Sequence, residues 1–231
     1  MSAASAVSAP ERANPMFAEQ DSLNPAWTRV DSMPTVARYG AGDAQAARVI
    51  GIGDLSARRR CGFKGAGTAA WLVQQGLPIP SQPNTWLELT PGAGSLIARL
   101  GRTEFMIEDA QGGTQCAALE GSAPPAKVYP VLRQDAELVL TGERSEDLLL
   151  QTCSVEFAAL DRAARPAVLT SMVGVGVTVI ACPPGPAVSS ADAWRYRIWC
   201  DGSYGAYLWQ TLVEIARELG GGPIGLEALG L

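Results

Sequence analysis

Few residues in this chain could perform acid–base or nucleophilic chemistry, because its 231 residues include no histidine. A Ser-His-Asp or Cys-His nucleophile, a His-ligated zinc or haem and a histidine-anchored flavin are therefore excluded within these residues. A general base would have to be a carboxylate of shifted pKa, a lysine, a tyrosine or a cysteine. The carboxylate candidates are Asp54, Glu104, Glu108 and Asp109. Since no cleft that would shift their pKa is visible in the sequence, we expect a strand-end cap at Asp54 and a solvated loop at Glu108 and Asp109.

A second candidate is the glycine motif at residues 65–70, G-A-G-T-A-A, which fits the dinucleotide pattern G-x-G-x-x-A. A Rossmann unit would place a long hydrophobic strand before these glycines. Here three arginines (58–60) precede the motif, and three prolines (78, 80 and 83) follow it. We therefore expect residues 65–70 to begin a helix where two backbone segments approach closely, rather than to bind a nucleotide.

The same three arginines, with Lys64, form the one basic cluster of an acidic chain. The net charge is −5 and the sequence pI is about 4.9, which argues against a nucleic-acid partner because phosphate contacts supply most of that affinity. Two interpretations of the cluster remain, a phosphate site and a solvated strand-and-turn face, and the second is expected.

The five cysteines, at 61, 116, 153, 182 and 200, include no C-x-x-C pair. Without histidine they favour reduced, buried thiols over a metal site or a nucleophile, so we predict neither a metal ligand nor a catalytic residue. No apolar run approaches the ~18 residues of a membrane span, and residues 1–20 lack the apolar core of a signal peptide. The expected location is the cytoplasm, with no membrane partner.

Composition and periodicity divide the chain into three parts. Residues 1–45 are rich in Ala, Ser, Pro and Asn and predict an extended arm that docks on this domain or on a partner. Residues 46–127 and 128–231 each predict an α+β half. Helices are predicted over 68–75 and 145–152, and a third helix is predicted after an N-cap at Ser203.

The two halves repeat one pattern when Gly65 is laid over Gly142. Phe63 then falls on Leu140 and Trp71 on Leu148, so a strand, a glycine turn and a short amphipathic helix occur twice. This predicts two βαβ-type units side by side, each with a sheet covered by its own helices.

The last helix is apolar on two sides. One stripe comprises Leu208, Leu212, Ile215 and Leu219. Its other faces carry Tyr207, Trp209 and Val213, which indicates either deep burial or contact with another subunit. Together with Trp27 of the arm, these three residues are the candidate interface residues, because aromatic side chains commonly anchor interfaces.

Seven segments spread over about residues 50–220 resemble one known family in their order and type. They are G-D-L-S (53–56), F-K-G (63–65), A-A-W-L (69–72), L-G-R-T-E-F-M-I (100–107), L-Q-T-C-S-V-E-F (150–157), Y-R-I-W-C (196–200) and S-Y-G-A-Y-L-W (203–209). The family is the gamma subunit of heterotetrameric sarcosine oxidase, which is related to the folate-binding half of the glycine-cleavage T-protein. Subunits of other demethylating dehydrogenases, such as N-methylglutamate dehydrogenase, are similar.

The resemblance implies an α+β fold of two ferredoxin-like halves, as in the T-protein folate-binding domain but without its C-terminal barrel. It also implies a hetero-oligomer that oxidatively demethylates an N-methyl amine and passes the one-carbon unit to tetrahydrofolate. Flavins and tetrahydrofolate are then expected in flavoprotein and folate-binding partner subunits, and no cofactor is expected in this chain.

The chain departs from the family pattern at positions that contact folate in T-proteins. T-proteins contact folate through an acidic residue in a glycine-rich strand turn, and the comparable residues 92–99 contain none. Arg197 lies on the strand where the family carries a second folate-contacting glutamate, and Ser190 stands in place of a tyrosine. We therefore expect a non-catalytic, gamma-like subunit that stabilises catalytic partners. The alternative is a stand-alone tetrahydrofolate-dependent one-carbon transferase or demethylase. Neither hypothesis identifies the amine substrate.

Overall fold

Alternating apolar residues form the strands of this chain, seen in a computed structural model that describes residues 12–90, 92, 94–183 and 194–231. The strands are β1 (Ala26–Val30), β2 (Met33–Arg38), β3 (Gly51–Asp54), β4 (Arg60–Lys64), β5 (Thr85–Glu88), β6 (Leu96–Arg99), β7 (Glu104–Glu108), β8 (Tyr129–Val131), β9 (Ala136–Thr141), β10 (Ala167–Met172), β11 (Val175–Cys182), β12 (Arg195–Cys200) and β13 (Gly222–Pro223). The helices are α1 (Phe17–Asp21), α2 (Asp43–Val49), α3 (Thr68–Gln74), α4 (Gln115–Gly121), α5 (Ser145–Thr152), α6 (Gly205–Glu218) and α7 (Leu226–Leu229).

The fold contains two large sheets, with the strand orders β5-β6-β7-β4-β8 and β10-β11-β12-β9-β3-β13. Strands β1 and β2 form a separate hairpin. All described pairings are antiparallel except that of β13 with β3. Neither sheet closes into a barrel within the described residues. The predicted α+β class is therefore confirmed.

The period of two along each strand separates a helix side from a sheet side. On β7, Phe105 and Ile107 face a core shared with α3 and α4, while Met106 belongs to a cluster between the sheets. On β12, Tyr196 and Ile198 join the core under α5 and α6, while Trp199 faces the other sheet. The order of layers is thus helices, sheet, sheet, helices, and central strands are buried on both faces.

The internal repeat lies at the start of α3 and α5. Gly65 follows β4 and Gly142 follows β9, with φ of +124° and +114°. A Cβ on Gly65 would lie 2.2 Å from the Lys127 carbonyl oxygen, and one on Gly142 would lie 2.5 Å from that of Val49. Both turns need glycine for its backbone freedom and for the close approach of a second segment.

Strand membership differs from the predicted division at residue 127. The strand β3, from the predicted first half, pairs with β9 in the second sheet, while β8, from the predicted second half, pairs with β4 in the first. Each sheet therefore receives one edge-side strand from the other half, which ties the two halves together. A boundary drawn from composition cannot anticipate this exchange.

The described part of the predicted arm, residues 12–45, contains α1, the hairpin and the start of α2 rather than extended chain alone. Its polar anchor is Asp54, whose carboxylate accepts hydrogen bonds from Asn14 Nδ2 at 2.8 Å and Gln20 Nε2 at 3.0 Å. Both amide side chains are buried. Of the two docking sites that the sequence left open for this segment, contact with its own domain is the one present here.

The last long helix, α6, forms as predicted, but the capping residue before it differs from the predicted Ser203. The helix α6 begins at Gly205, and the side chain of Asp201, not Ser203, accepts from a backbone N–H in the turn before it. In the described part of the chain, no helix combines the length and the hydropathy needed to cross a bilayer.

Replacement of Gly142 by alanine should lower the free energy of unfolding by about 2 kcal/mol or more, since it adds left-handed strain to a clash with the Val49 carbonyl. Gly76→Ala is the matched control, because Gly76 also has a positive φ but no atom within 4 Å of an added Cβ. It should cost only about 1 kcal/mol. Urea denaturation measures both; equal losses would show that the close approach at Gly142 is not a constraint.

Candidate functional site

Four central strands bring charged side chains together where the two sheets face each other. Arg60 and Glu108 lie directly opposite each other on β4 and β7, and Glu137 and Arg197 come from β9 and β12. Each residue alternates with apolar neighbours that face the helices, so period two directs its side chain toward the other sheet. We call Arg60, Glu108, Glu137 and Arg197 the charge cluster.

Every member of the charge cluster bonds to partners from both sheets. Arg60 Nε donates to Glu108 Oε2 at 2.6 Å, and its Nη2 donates to Glu137 Oε2 at 2.5 Å. Arg197 Nε donates to Glu137 Oε1 at 2.6 Å, and its Nη2 donates to Glu108 Oε1. Trp199 Nε1 adds a bond of 3.0 Å to Glu108 Oε2. The two carboxylates and two guanidinium groups therefore form a closed ring of charge-assisted hydrogen bonds.

Burial controls the electrostatics of this ring. The side chains of both glutamates are fully buried, and Arg197 is only 5 % exposed. Desolvation by burial raises the pKa of Glu137 to about 7, against the opposing charges of Arg60 and Arg58. Burial, with the positive charges of Arg58 and Arg60, lowers the pKa of Arg197 well below its ordinary value. The charges are thus tolerated because each has oppositely charged partners at bonding distance.

A cavity of about 640 Å³ adjoins the charge cluster. Its described lining includes the basic residues Arg58, Arg195 and Arg197, the carboxylate of Glu88, the thiol of Cys182 and an apolar wall with Trp86 and Leu96. This volume is in the range of sites that bind cofactors or drug-sized ligands. The cavity, together with the charge cluster, is the candidate functional site.

The groups on this lining are poor acid–base catalysts. Burial raises the pKa of Cys182 to about 12, so its thiol stays protonated at neutral pH. Glu88 Oε2 accepts a hydrogen bond from the backbone N–H of Gly92 at 2.9 Å. Among the described residues, no group of three or more Cys, Asp or Glu side chains has an arrangement that could hold a metal ion. The arrangement is suited to binding an anion rather than to proton transfer.

Two predictions about charged residues are wrong. Arg58 and Arg60 are 8 % and 5 % exposed, so within the basic cluster only Lys64 and Arg59, which pairs with Glu120, lie on a solvated face. Glu108 and Asp109, expected in a solvated loop, are buried at the sheet interface and beside α4. The second sheet covers Arg60 and Glu108, whereas Asp109 is buried where it accepts a hydrogen bond from the backbone N–H of Cys116 in α4.

Other predictions about single residues are confirmed. Asp54 caps its strand end by accepting from the backbone N–H of Ser56 at 2.8 Å, and Cys61, Cys153 and Cys200 are buried. The motif at residues 65–70 begins α3, and the N–H of Gly67 donates to the Lys127 carbonyl. The N–H of Gly67 is thereby already bonded within the chain.

The four candidate interface residues separate into two pairs. Trp27 is half-buried and stacks on Phe17, and Tyr207 is half-exposed with its hydroxyl bonded to the Val173 carbonyl. Trp209 and Val213 are 3 % and 2 % exposed in the core beneath α6. Of the two possibilities for this helix, burial within the chain applies to Trp209 and Val213, because α1 packs against the helix and Met16 shares its core. Ser190 lies outside the described residues.

Sequence reasoning did not identify Glu137, Arg58 or Arg195 as site residues. One signal was available: the strand A-E-L-V-L-T carries a single charge among residues that are apolar on both alternating faces. A lone carboxylate in a strand covered on both sides requires a buried cation, and the buried arginines among the described residues are Arg58, Arg60 and Arg197.

Comparisons with known proteins place the fold. No protein-family model matches the chain, and no curated protein matches it. The chain is similar in structure to the glycine cleavage system aminomethyltransferase T from Bartonella henselae, with a TM-score of 0.73 at 15 % identity, over 95 % of this chain and 61 % of that one. It therefore spans less than two thirds of that enzyme. It is also similar to a chain of the heterotetrameric sarcosine oxidase from Corynebacterium sp. U-96, solved in complex with pyrrole 2-carboxylate. The TM-score there is 0.58 at 16 % identity, over 78 % of this chain and 91 % of that one.

At these identities the comparisons establish the fold alone. The fold relationship to both proteins that the resemblance implied is thereby confirmed, whereas the assignment to a gamma subunit stays a prediction.

Replacement of Glu108 by glutamine should cost about 3–5 kcal/mol of unfolding free energy, because it leaves Arg60 and Arg197 buried with one carboxylate between them. Glu120→Gln makes the same change in the exposed pair with Arg59 and should cost less than about 1 kcal/mol. Urea denaturation at neutral pH measures both variants. Similar costs at the two sites would contradict a structural role for the charge cluster.

Proposed function

We propose that this chain is a non-catalytic, gamma-like subunit of a heteromeric sarcosine oxidase or of a related oxidoreductase that demethylates N-methyl amines. Flavins and tetrahydrofolate are held by flavoprotein and folate-binding partner subunits, which this chain stabilises. The similarity to a chain of a heterotetrameric sarcosine oxidase supports this proposal, since it extends over 91 % of that chain.

The position and hydrogen bonding of Arg197 are the observation that supports the proposal most directly. By the family resemblance, Arg197 occupies the strand position at which related proteins use a glutamate for folate. A pterin presents N–H donors there and requires an acceptor, whereas a guanidinium group has donors only. Arg197 is also bonded to Glu108 and Glu137, so neither carboxylate is free to replace the missing acceptor. A folate-fold chain without its folate acceptor suits a supporting role.

The alternative function is a stand-alone tetrahydrofolate-dependent one-carbon transferase or demethylase. The cavity of about 640 Å³ between the sheets favours it, because a supporting subunit has no need of a ligand-sized space. The two functions differ in whether the purified chain binds tetrahydrofolate.

Titration of the purified chain with tetrahydrofolate should leave its tryptophan fluorescence unchanged after correction for absorbance. Trp86 lines the cavity and Trp199 contacts the charge cluster, so a pterin bound there would quench emission. N-acetyltryptophanamide is the control for the absorbance correction. Saturable low-micromolar quenching that is lost in Trp86→Phe would support the transferase and overturn the proposed subunit role.

Affinity purification of the tagged chain from its native cells should recover a complex with visible flavin absorbance and N-methyl-amine-dependent electron transfer. If Trp27 and Tyr207 contact the partners, Trp27→Asp and Tyr207→Asp should each reduce the recovered flavin severalfold, because a buried anchor would become an unpaired charge. Tyr129→Asp is the matched control, since Tyr129 is also exposed but lies on β8, the edge strand of the sheet β5-β6-β7-β4-β8.

Recovery of the chain alone from cells that contain the flavoprotein subunits would contradict the proposed function. Recovery of the complex with all three variants alike would contradict only the placement of the interface.

A further inference from the structure

The cavity beside the charge cluster is lined by more cationic than anionic side chains among the described residues. Among its described lining residues, Arg58, Arg195 and Arg197 face a single carboxylate side chain, that of Glu88. Arg197 is bonded through its Nε and Nη2 to Glu137 and Glu108, as described above. The remaining question concerns Arg58 and Arg195.

Arg58 and Arg195 use few of their hydrogen-bond donors. Arg58 donates to the Gly94 carbonyl at 3.4 Å and has Glu108 Oε1 at 3.5 Å, although its side chain is only 10 % exposed. Arg195 donates to the Leu229 carbonyl at 3.5 Å, and its buried Nε has no partner. Each guanidinium group has five N–H donors, and buried donors are normally satisfied. Both groups therefore have donors available on the cavity side.

Electrostatics agrees with this geometry. Burial lowers the pKa of Arg58, opposed by Glu137 and reinforced by Arg60. Burial also lowers the pKa of Arg195, and the positive charge of Arg58 lowers it further. Two like charges are thus held near each other in a partly dehydrated space, and an anion between them would relieve both their repulsion and their unmet hydrogen bonds.

The other wall of the cavity is apolar. It includes Leu96, which is 1 % exposed, and Trp86, whose buried Nε1 has no hydrogen-bond partner. A ligand that complements both walls has a carboxylate at one end and an apolar or aromatic body at the other. Phosphate would satisfy the arginines but would leave the apolar wall and most of the volume unfilled.

We propose that this cavity is a binding site for a small organic carboxylate, held by Arg58 and Arg195 with its apolar body against Trp86 and Leu96. A planar guanidinium group can donate two parallel hydrogen bonds to one carboxylate, which gives such a site orientation as well as affinity. The proposal concerns residues of this chain alone and does not rest on the proposed assembly with partner subunits.

Ligand-observed fluorine NMR of the purified full chain tests this proposal with 4-fluorobenzoate as the probe. Its neutral isostere, 4-fluorobenzamide, is the ligand control, and we expect it to bind at least about tenfold more weakly because it lacks the charge. Arg195→Gln should weaken 4-fluorobenzoate binding about tenfold or more. Arg102→Gln removes one positive charge from the exposed turn between β6 and β7 and should leave the Kd unchanged.

Arg195→Lys keeps the charge but not the planar pair of donors, so it should give an intermediate Kd. If circular dichroism shows that Arg195→Gln does not fold, Arg195→Lys serves as the test variant. Inorganic phosphate is the competing anion and should displace the probe only weakly. Equal binding of the two probes, an unchanged Kd in both Arg195 variants, or no binding across the millimolar range would each overturn the proposal. Displacement by phosphate at lower concentration than by unlabelled benzoate would overturn the assignment to a carboxylate.

Discussion

The ring of ion pairs among Arg60, Glu108, Glu137 and Arg197 is the interaction on which the arrangement of this molecule depends. Two of these residues belong to each sheet, so the ring is a contact between sheets as well as within them. Its energetic value for stability is limited, because desolvation of four charges offsets most of their attraction. Its value for alignment is larger. A shift of either sheet would leave buried charges unpaired, which costs several kcal/mol per charge, whereas the apolar contacts between Leu96, Met106 and Ile180 tolerate small displacements.

The ring also explains why an internally repeated fold is not symmetric at its centre. Both halves use a glycine turn to join a central strand to a helix, and each sheet receives a strand from the opposite half. The charges, however, are not repeated: β4 and β12 contribute arginines, whereas β7 and β9 contribute glutamates. Strands at comparable positions in the two sheets thus carry opposite charges, and the two halves complement each other where they meet.

Local patterns in the sequence were sufficient to predict many elements but not the core of the site. The helix α5 has the predicted limits of 145–152, and Gly65 and Gly142 occupy equivalent turns, because caps, periodicity and backbone freedom act over a few residues. The burial of Arg58, Arg60 and Glu108 could not be predicted in this way. It depends on partners 48–89 residues away along the chain, which no local periodicity encodes. Charged residues were assigned to solvent because exposure is their usual fate, and sheet-on-sheet packing removed the solvent.

The absence of histidine has a different meaning once the site is known. In the sequence it only excluded mechanisms, since any general base had to be a carboxylate, lysine, tyrosine or cysteine. In the structure, the two carboxylates at the centre are bonded to arginines and the cavity thiol of Cys182 is held protonated by burial. Arg58 has a longer ion pair of 3.5 Å with Glu108, which is already shared between Arg60 and Arg197, and Arg195 has no carboxylate partner among the ion pairs of the described residues. A centre arranged in this way favours the retention of an anion.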